Sequence, residues 1–165
     1  MKNIVVQKFG GTSLGSIERI KAVANTIKKT SLNEFPIIVV SAMSGETDKL
    51  INLAKGISDA PAERELDALL STGEKVSAAL LAMTLQSLGL QAKSFSAAQI
   101  SMRTTSNHSK ENIIDINIDT IQCQYLYQLS LLLNDLMLYA LIFEQQKRIL
   151  LLIQVIAKSL PIKQH

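Results

Sequence analysis

VVQKFGGTSLGS, residues 5–16, is the stretch from which the fold can be read. The β-branched run Ile4-Val5-Val6 ends at Lys8-Phe9, and Gly10-Gly11 breaks it. From Ile17 the apolar residues recur at Ile20, Val23, Ala24 and Ile27, the period of one helix face. Ser16 stands where a helix N-cap is expected. The order is therefore strand, glycine turn, helix. Paired glycines let backbone amides approach phosphate oxygens with no side chain in the way. A helix start directly after the turn adds N–H groups and a partial positive charge. Lys8, at the strand end, can bring an ammonium to the same oxygens. A plain strand–helix turn would need the same glycines for shape alone. Lys8 together with Thr12-Ser13 brings the two readings level.

Working outward, Pro36 opens Ile37-Ile38-Val39-Val40, apolar on both faces as a buried parallel strand should be. A loop over residues 41–47 follows, and Leu50, Leu53, Ala54 and Ile57 mark a second helix. Beyond Asp59-Ala60-Pro61 a long helical stretch carries Leu66, Leu69, Leu70, Val76, Ala79, Leu80 and Met83 on its apolar side, with an interruption expected at Gly73 and a C-terminal cap at Gly89. Residues 91–96 and 113–116 read as further strands. Alternating strands and helices predict an α/β fold, a mainly parallel sheet with helices on both faces.

The strand ending at Val40 runs into Ser41-Ala42-Met43-Ser44-Gly45-Glu46-Thr47-Asp48. In open α/β sheets the carboxyl ends of the strands face the ligand crevice, so Lys8 and Ser41 are expected at one cleft. Thr47-Asp48 alone would read as a helix N-cap. Glu74, beside Gly73, could reach a ligand ammonium, although singly it reads as a solvated helix residue. Thr104, Thr105 and His108 read as a polar loop. A Walker A loop needs Gly-x-x-x-x-Gly-Lys-Ser/Thr, whereas Gly15 is followed by Ser16-Ile17; the Gly-x-Gly-x-x-Gly spacing is missing too.

Composition narrows the function classes. The chain has 165 residues, 47% of them hydrophobic and 19% charged, which predicts one domain with a real core. The net charge of +3 is small and its cations are scattered, so nucleic acid is not implied. A single cysteine, Cys123, excludes a disulfide framework within the chain. His108 and His165 share no ligand spacing, so no protein-held metal is expected; magnesium carried by a nucleotide stays open. Met1-Lys2-Asn3 leads straight into a strand with no signal-peptide pattern, which makes the cytoplasm the expected compartment.

Past about Ile121 the character changes. Residues 125–156 are rich in leucine and isoleucine, contain no glycine and read as one or two helices. Leu129, Leu132, Leu133, Leu136 and Ala140 fit a helical face, but the opposite face is apolar too. Asn134, Asp135, Glu144, Gln145, Gln146, Lys147 and Arg148 interrupt every window of the roughly 20 apolar residues a membrane helix needs. The expected division is residues 1–120 as the alternating domain and 121–165 as a separate helical tail.

Taken in order, KFGGTS (residues 8–13), VVSAMSGETDKL (39–50), RELDALLSTGEKVSAALLA (64–82) and the loop at 104–113 with His108 resemble the aspartokinases of the amino-acid kinase family over roughly residues 1–120. The resemblance implies an incomplete three-layer αβα sandwich and phosphoryl transfer from ATP, with Mg2+, to the β-carboxylate of L-aspartate, the first step of lysine, threonine and methionine biosynthesis. It implies Lys8 as the catalytic cation. Lys8, Gly10, Gly11, Ser13 and Ser41 would lie on the ATP phosphates, and Thr47 and Glu74 would hold aspartate, Glu74 by its α-ammonium. The family continues with a Gly-Phe-Gln-Gly turn, a Gly-Arg-Gly-Gly-Ser-Asp loop, a nucleotide-base half and regulatory ACT modules. The last glycine here is Gly89, so a site truncated and inactive alone is expected. A reading-frame shift near Ile121 is the expected origin of the tail. The partners expected besides ATP and L-aspartate are a second copy or a full-length subunit, with neither nucleic acid nor membrane. The competing readings are a non-catalytic remnant or docking partner, and a kinase for glutamate, acetylglutamate or a nucleotide.

Overall fold

A computed structural model describes residues 3–100, 103–104, 113–115 and 138–143. The first β-branched run forms β1, Asn3–Phe9, and the second forms β2, Glu34–Val40. They pair in parallel with no register shift, from Asn3 opposite Glu34 to Phe9 opposite Val40. Parallel neighbours need a crossover. Here it is a short 3-10 turn, Gly11–Leu14, and helix α1, Ile17–Ser31. The Ser16 hydroxyl accepts the Arg19 N–H at 3.3 Å, the N-cap expected from the sequence.

Helix α2 spans Glu46–Ile57 and α3 spans Glu63–Ser87, leading into β3, Gln91–Ser94. At the end of α3, Gly89 has φ +82°, its N–H donates to the Gln86 carbonyl, and the Leu90 N–H donates to the Leu85 carbonyl. This is a Schellman cap, as the position of Gly89 predicted. Two short strands, β4 (Arg103–Thr104) and β5 (Ile113–Asp115), pair antiparallel in a sheet of their own. The strand expected at 113–116 thus exists but stands apart from the parallel sheet.

The main sheet contains a departure from the expected organisation. Its order is β1-β2-β6-β3, all parallel, and β6 is Leu138–Phe143. The tail was expected to be helical; at these residues it is a strand held between β2 and β3. An apolar run of this length suits a buried strand as well as a helix, and pairing on both edges satisfies its backbone groups. The rest of residues 121–165, with Cys123 and His165, lies outside the described residues. Pro36, which has no N–H to give, lies ahead of the paired stretch, since β6 meets β2 only from Ile38 onward.

One core lies on the sheet face that carries Ile38 and Val40. Leu14, Ile20, Val23, Ala24 and Ile27 come to it from the turn and α1, and Ala78, Leu81, Ala82 and Leu85 from α3. Each fully buried Leu or Ile contributes about 1.5–3 kcal/mol relative to exposure. On the opposite face Ile37 and Val39 are also buried. Two details of the expected helices change. Helix α3 runs unbroken through Gly73, and Val76 and Met83 are exposed although the sequence placed them on the apolar side. In α2, Ala54 is buried while Leu53 and Ile57 face outward. Among the described residues no helix is long and apolar enough to cross a membrane.

Candidate functional site

Because β1 and β2 are parallel and in register, their carboxyl ends lie side by side, with Lys8 opposite Val39 one residue short of the end. The loops that leave these ends are bonded to each other. The Ser41 N–H donates to the Phe9 carbonyl at 3.2 Å, and the Ser44 N–H donates to the Gly11 carbonyl at 3.2 Å. Within the first loop, the Ser13 N–H donates to the Gly10 carbonyl at 2.9 Å, closing the 3-10 turn. The structure therefore brings Lys8, Gly10, Gly11, Ser13 and Ser41 to one edge of the molecule, as the strand-end rule predicts. Lys8, Gly10 and Ser13 are exposed there.

The two glycines do different things. A Cβ on Gly11 would lie 2.6 Å from the Ala42 carbonyl oxygen, so Gly11 is where the β2 loop crosses the turn. A Cβ on Gly10 would have nothing within 4 Å. The Gly10 backbone, φ −77° and ψ 169°, is extended and open to any residue. Neither packing nor conformation requires glycine at position 10. Its bare surface faces outward at the head of a helical turn, where the leading N–H groups have no intrahelical acceptor.

Helix α3 packs against the β2 loop at Ala42. Gly73 is buried, and a Cβ there would meet the Ala42 Cβ at 3.0 Å and the Leu50 Cδ1 at 3.6 Å. A glycine in mid-helix costs about 1 kcal/mol against alanine. It is kept here because α3 crosses directly over the β2 loop. The interruption expected from its propensity is thus overridden by packing. Glu74, the next residue, is half-buried, and its Oε2 is wholly shielded from solvent. Thr47 is half-buried at the second position of α2. It lies inside the helix rather than in the loop or at the cap. The N-cap is Gly45, with φ +80°, and no side chain caps it. Glu46 and Asp48 supply the negative charge that favours a helix start.

One residue of this edge carried no weight in the sequence. Arg19 donates from Nη1 to the Thr12 carbonyl at 2.5 Å, reaching from α1 back to the glycine turn. The available signal was its position. It is the third residue after the N-cap, where a capping box would place Glu or Gln and where the helix dipole disfavours a cation. Beside it, the Glu18 carboxyl is held below the ordinary carboxylate range by its own backbone N–H, by the Ser16 hydroxyl and by Lys21. Of the polar loop, Thr104 is the last residue of the two-residue strand β4, and Thr105 and His108 lie outside the described residues.

Comparison with known proteins gives a consistent picture. A family profile described as the amino acid kinase family matches residues 3–125. An aspartate kinase of Stutzerimonas stutzeri is 50% identical over 120 residues, which is 72% of this chain and 29% of that protein. An aspartokinase of Geobacillus stearothermophilus is 52% identical over 118 residues, 71% of this chain and 28% of its own. Among solved structures, the aspartate kinase from Synechocystis superposes with a TM-score of 0.69 at 38% identity, covering 85% of this chain and 22% of that one. E. coli aspartokinase III, solved with aspartate and ADP, shares the fold with a TM-score of 0.60 at 22% identity, over 84% of this chain and 40% of that one. The shared architecture is part of an αβα fold. The chain spans less than a third of the length of the curated relatives it matches.

Proposed function

Because the chain belongs to the amino acid kinase family, we propose that the edge built on Lys8 and Ser41 is one wall of an aspartate kinase site, transferring the γ-phosphoryl of ATP to the β-carboxylate of L-aspartate. The observation that carries the reading is Gly10. It is a glycine that neither backbone angle nor neighbour demands, on the exposed side of a turn one residue after Lys8's neighbour Phe9. Access for a ligand to the backbone explains it.

The acceptor carboxylate is already an anion, so transfer needs no general base. What the protein contributes is alignment and neutralisation of charge on the transferring group. In this reading Lys8 neutralises that charge, and the amides of Gly10 and Gly11 take up phosphate oxygens. Ser13 and Ser41 lie along the phosphates. Thr47 and Glu74 hold aspartate, with the Glu74 carboxylate on its α-ammonium. The half-burial of Glu74 supports this role, since a charge pair shielded from water is stronger than an exposed one. Magnesium enters with the nucleotide as part of the co-substrate, and the cytoplasm is the compartment this reading assigns.

The division at about residue 120, with a non-family tail from 121 to 165, belongs to the same reading. So does inactivity of residues 1–165 by themselves, because no Gly-Arg-Gly-Gly-Ser-Asp loop occurs among them. A frame shift near Ile121 would account for the junction; downstream coding bases that yield no Gly-Arg-Gly-Gly-Ser-Asp stretch in another frame would rule it out. The direct experiment is trapping of aspartyl phosphate with hydroxylamine in the presence of ATP and magnesium, with glutamate and acetylglutamate as rival acceptors. ATP binding with no turnover is the expected result. Turnover on a rival acceptor would overturn the aspartate assignment.

A second reading, a non-catalytic partner of an intact kinase subunit, is favoured by one observation. Among the described residues β1 is an edge strand, and its Ile4, Val5 and Val6 are only half-buried. An open apolar edge is a template for another strand. Co-purification with a full-length subunit, without nucleotide binding by this chain, would select it.

A further inference from the structure

Arg19 is an odd residue for its place. In the first turn of α1 a cation opposes the helix dipole, and a Glu or Gln would have completed the capping box begun by Ser16. Helix stability therefore does not explain it. Its side chain leaves the helix and spans seven residues back to the Thr12 carbonyl, at 2.5 Å. Its backbone N–H is held by the Ser16 hydroxyl at 3.3 Å, so the residue is fixed at both ends. Between them Gly15 is closely packed. A Cβ there would lie 3.3 Å from the Ser44 Cβ and 3.5 Å from the carbonyl oxygens of Gly11 and Thr12. The turn, the β2 loop and the start of α1 form one tight unit that Arg19 straps from outside.

We propose that Arg19 is a positioning residue for the phosphate turn, acting through the Thr12 carbonyl. The role rests on the phosphate reading given above. Two effects combine. A charge-assisted hydrogen bond fixes the Thr12–Ser13 peptide, whose N–H closes the turn on the Gly10 carbonyl, and so holds in shape the turn whose leading N–H groups face outward. It also masks a carbonyl oxygen whose partial negative charge would otherwise repel an anion bound at the same turn. Arg suits the task better than Lys because its planar fork loses less freedom on bonding.

The test uses the full chain with Arg19→Ala and Arg19→Lys, read by amide hydrogen exchange and by calorimetric titration with magnesium ATP. Arg19→Ala is expected to speed exchange at Ser13 and Leu14 about tenfold while residues 23–28 of α1 keep their rate. ATP binding should weaken about tenfold, the scale of one hydrogen bond to a charged group, and Arg19→Lys should recover part of both losses. Unchanged exchange in the turn would overturn the proposal, as would acceleration spread evenly along α1, which would mark a helix-stability role. If the unaltered chain binds no ATP, the phosphate reading fails on its own, and the exchange result alone decides whether Arg19 holds the turn.

Discussion

The carbonyl oxygen of Ala42 occupies the space a side chain on Gly11 would need, 2.6 Å from where its Cβ would stand. Gly10, its immediate neighbour, faces open space. The pair therefore separates structure from function. Gly11→Ala must push the β2 loop away and is expected to cost about 1–3 kcal/mol, the usual scale of overpacking. Gly10→Ala should leave the unfolding midpoint nearly unchanged and weaken ATP binding instead. Denaturant titration and calorimetry on the two variants check the contrast; equal losses of stability would refute it.

Gly73 and Ala42 form a second such contact, with 3.0 Å left for an added methyl. Gly73→Ala gains about 1 kcal/mol of helix propensity and meets an overpacking cost of about 1–3 kcal/mol. The net effect should be a modest loss of stability. Adding Ala42→Gly removes the methyl it strikes, so the double variant should be more stable than the sum of the single changes. A double-mutant cycle with no coupling would show that α3 does not cross the β2 loop this closely.

Lys8 and Glu74 are expected to fail in different ways. Lys8→Ala should weaken ATP binding about ten- to hundredfold, the scale of losing a charged hydrogen-bond partner. Glu74→Gln should leave ATP affinity within about twofold and act on aspartate, since only the amino-acid side loses a charge partner. Titrating each ligand separately distinguishes them. A loss of ATP affinity in Glu74→Gln would remove that residue from the aspartate side.

The acid response of α1 follows from Glu18. Its carboxyl is held below the ordinary range in the folded chain, by its own N–H first and then by Ser16, with Lys21 adding a smaller pull. A group depressed on folding stabilises above its unfolded pKa, and that contribution disappears as pH falls through the lower folded value. The wild-type chain should therefore exceed Glu18→Gln in stability near neutrality, with the gap closing in acid. Thermal unfolding of both across acid pH is the measurement. Because Glu18 is fully exposed the gap should be small and should shrink further in salt.

Local rules read well where local chemistry decides the structure. The β1–turn–α1 unit, the Ser16 cap and the Gly89 terminator each depend on a few adjacent residues, and each was legible. The juxtaposition of Lys8 with Ser41 followed from a rule about strand ends. Where long-range packing decides, the sequence misled. Gly73 looks like a break until the Ala42 loop is seen beneath it. Val76 and Met83 fit the apolar period of α3 yet lie on the side turned from the sheet. Leu138–Phe143 sits in a leucine-rich stretch apolar on all sides, which carries no period to tell strand from helix. Arg19 was visible only as a cation in an awkward place, and its partner seven residues away could not be inferred from spacing.

The seating of β6 between β2 and β3 also sets a timetable for synthesis. When β3 emerges from the ribosome its neighbour in the sheet has not been made, because the chain must first extend from Ser94 to Leu138. At about 5–20 residues per second this interval lasts a few seconds. Throughout it, the inner edges of β2 and β3 stand open within one nascent chain, inviting strands from neighbouring copies on the same message. The yield of soluble protein should therefore depend on ribosome spacing as well as on the stability of the finished fold.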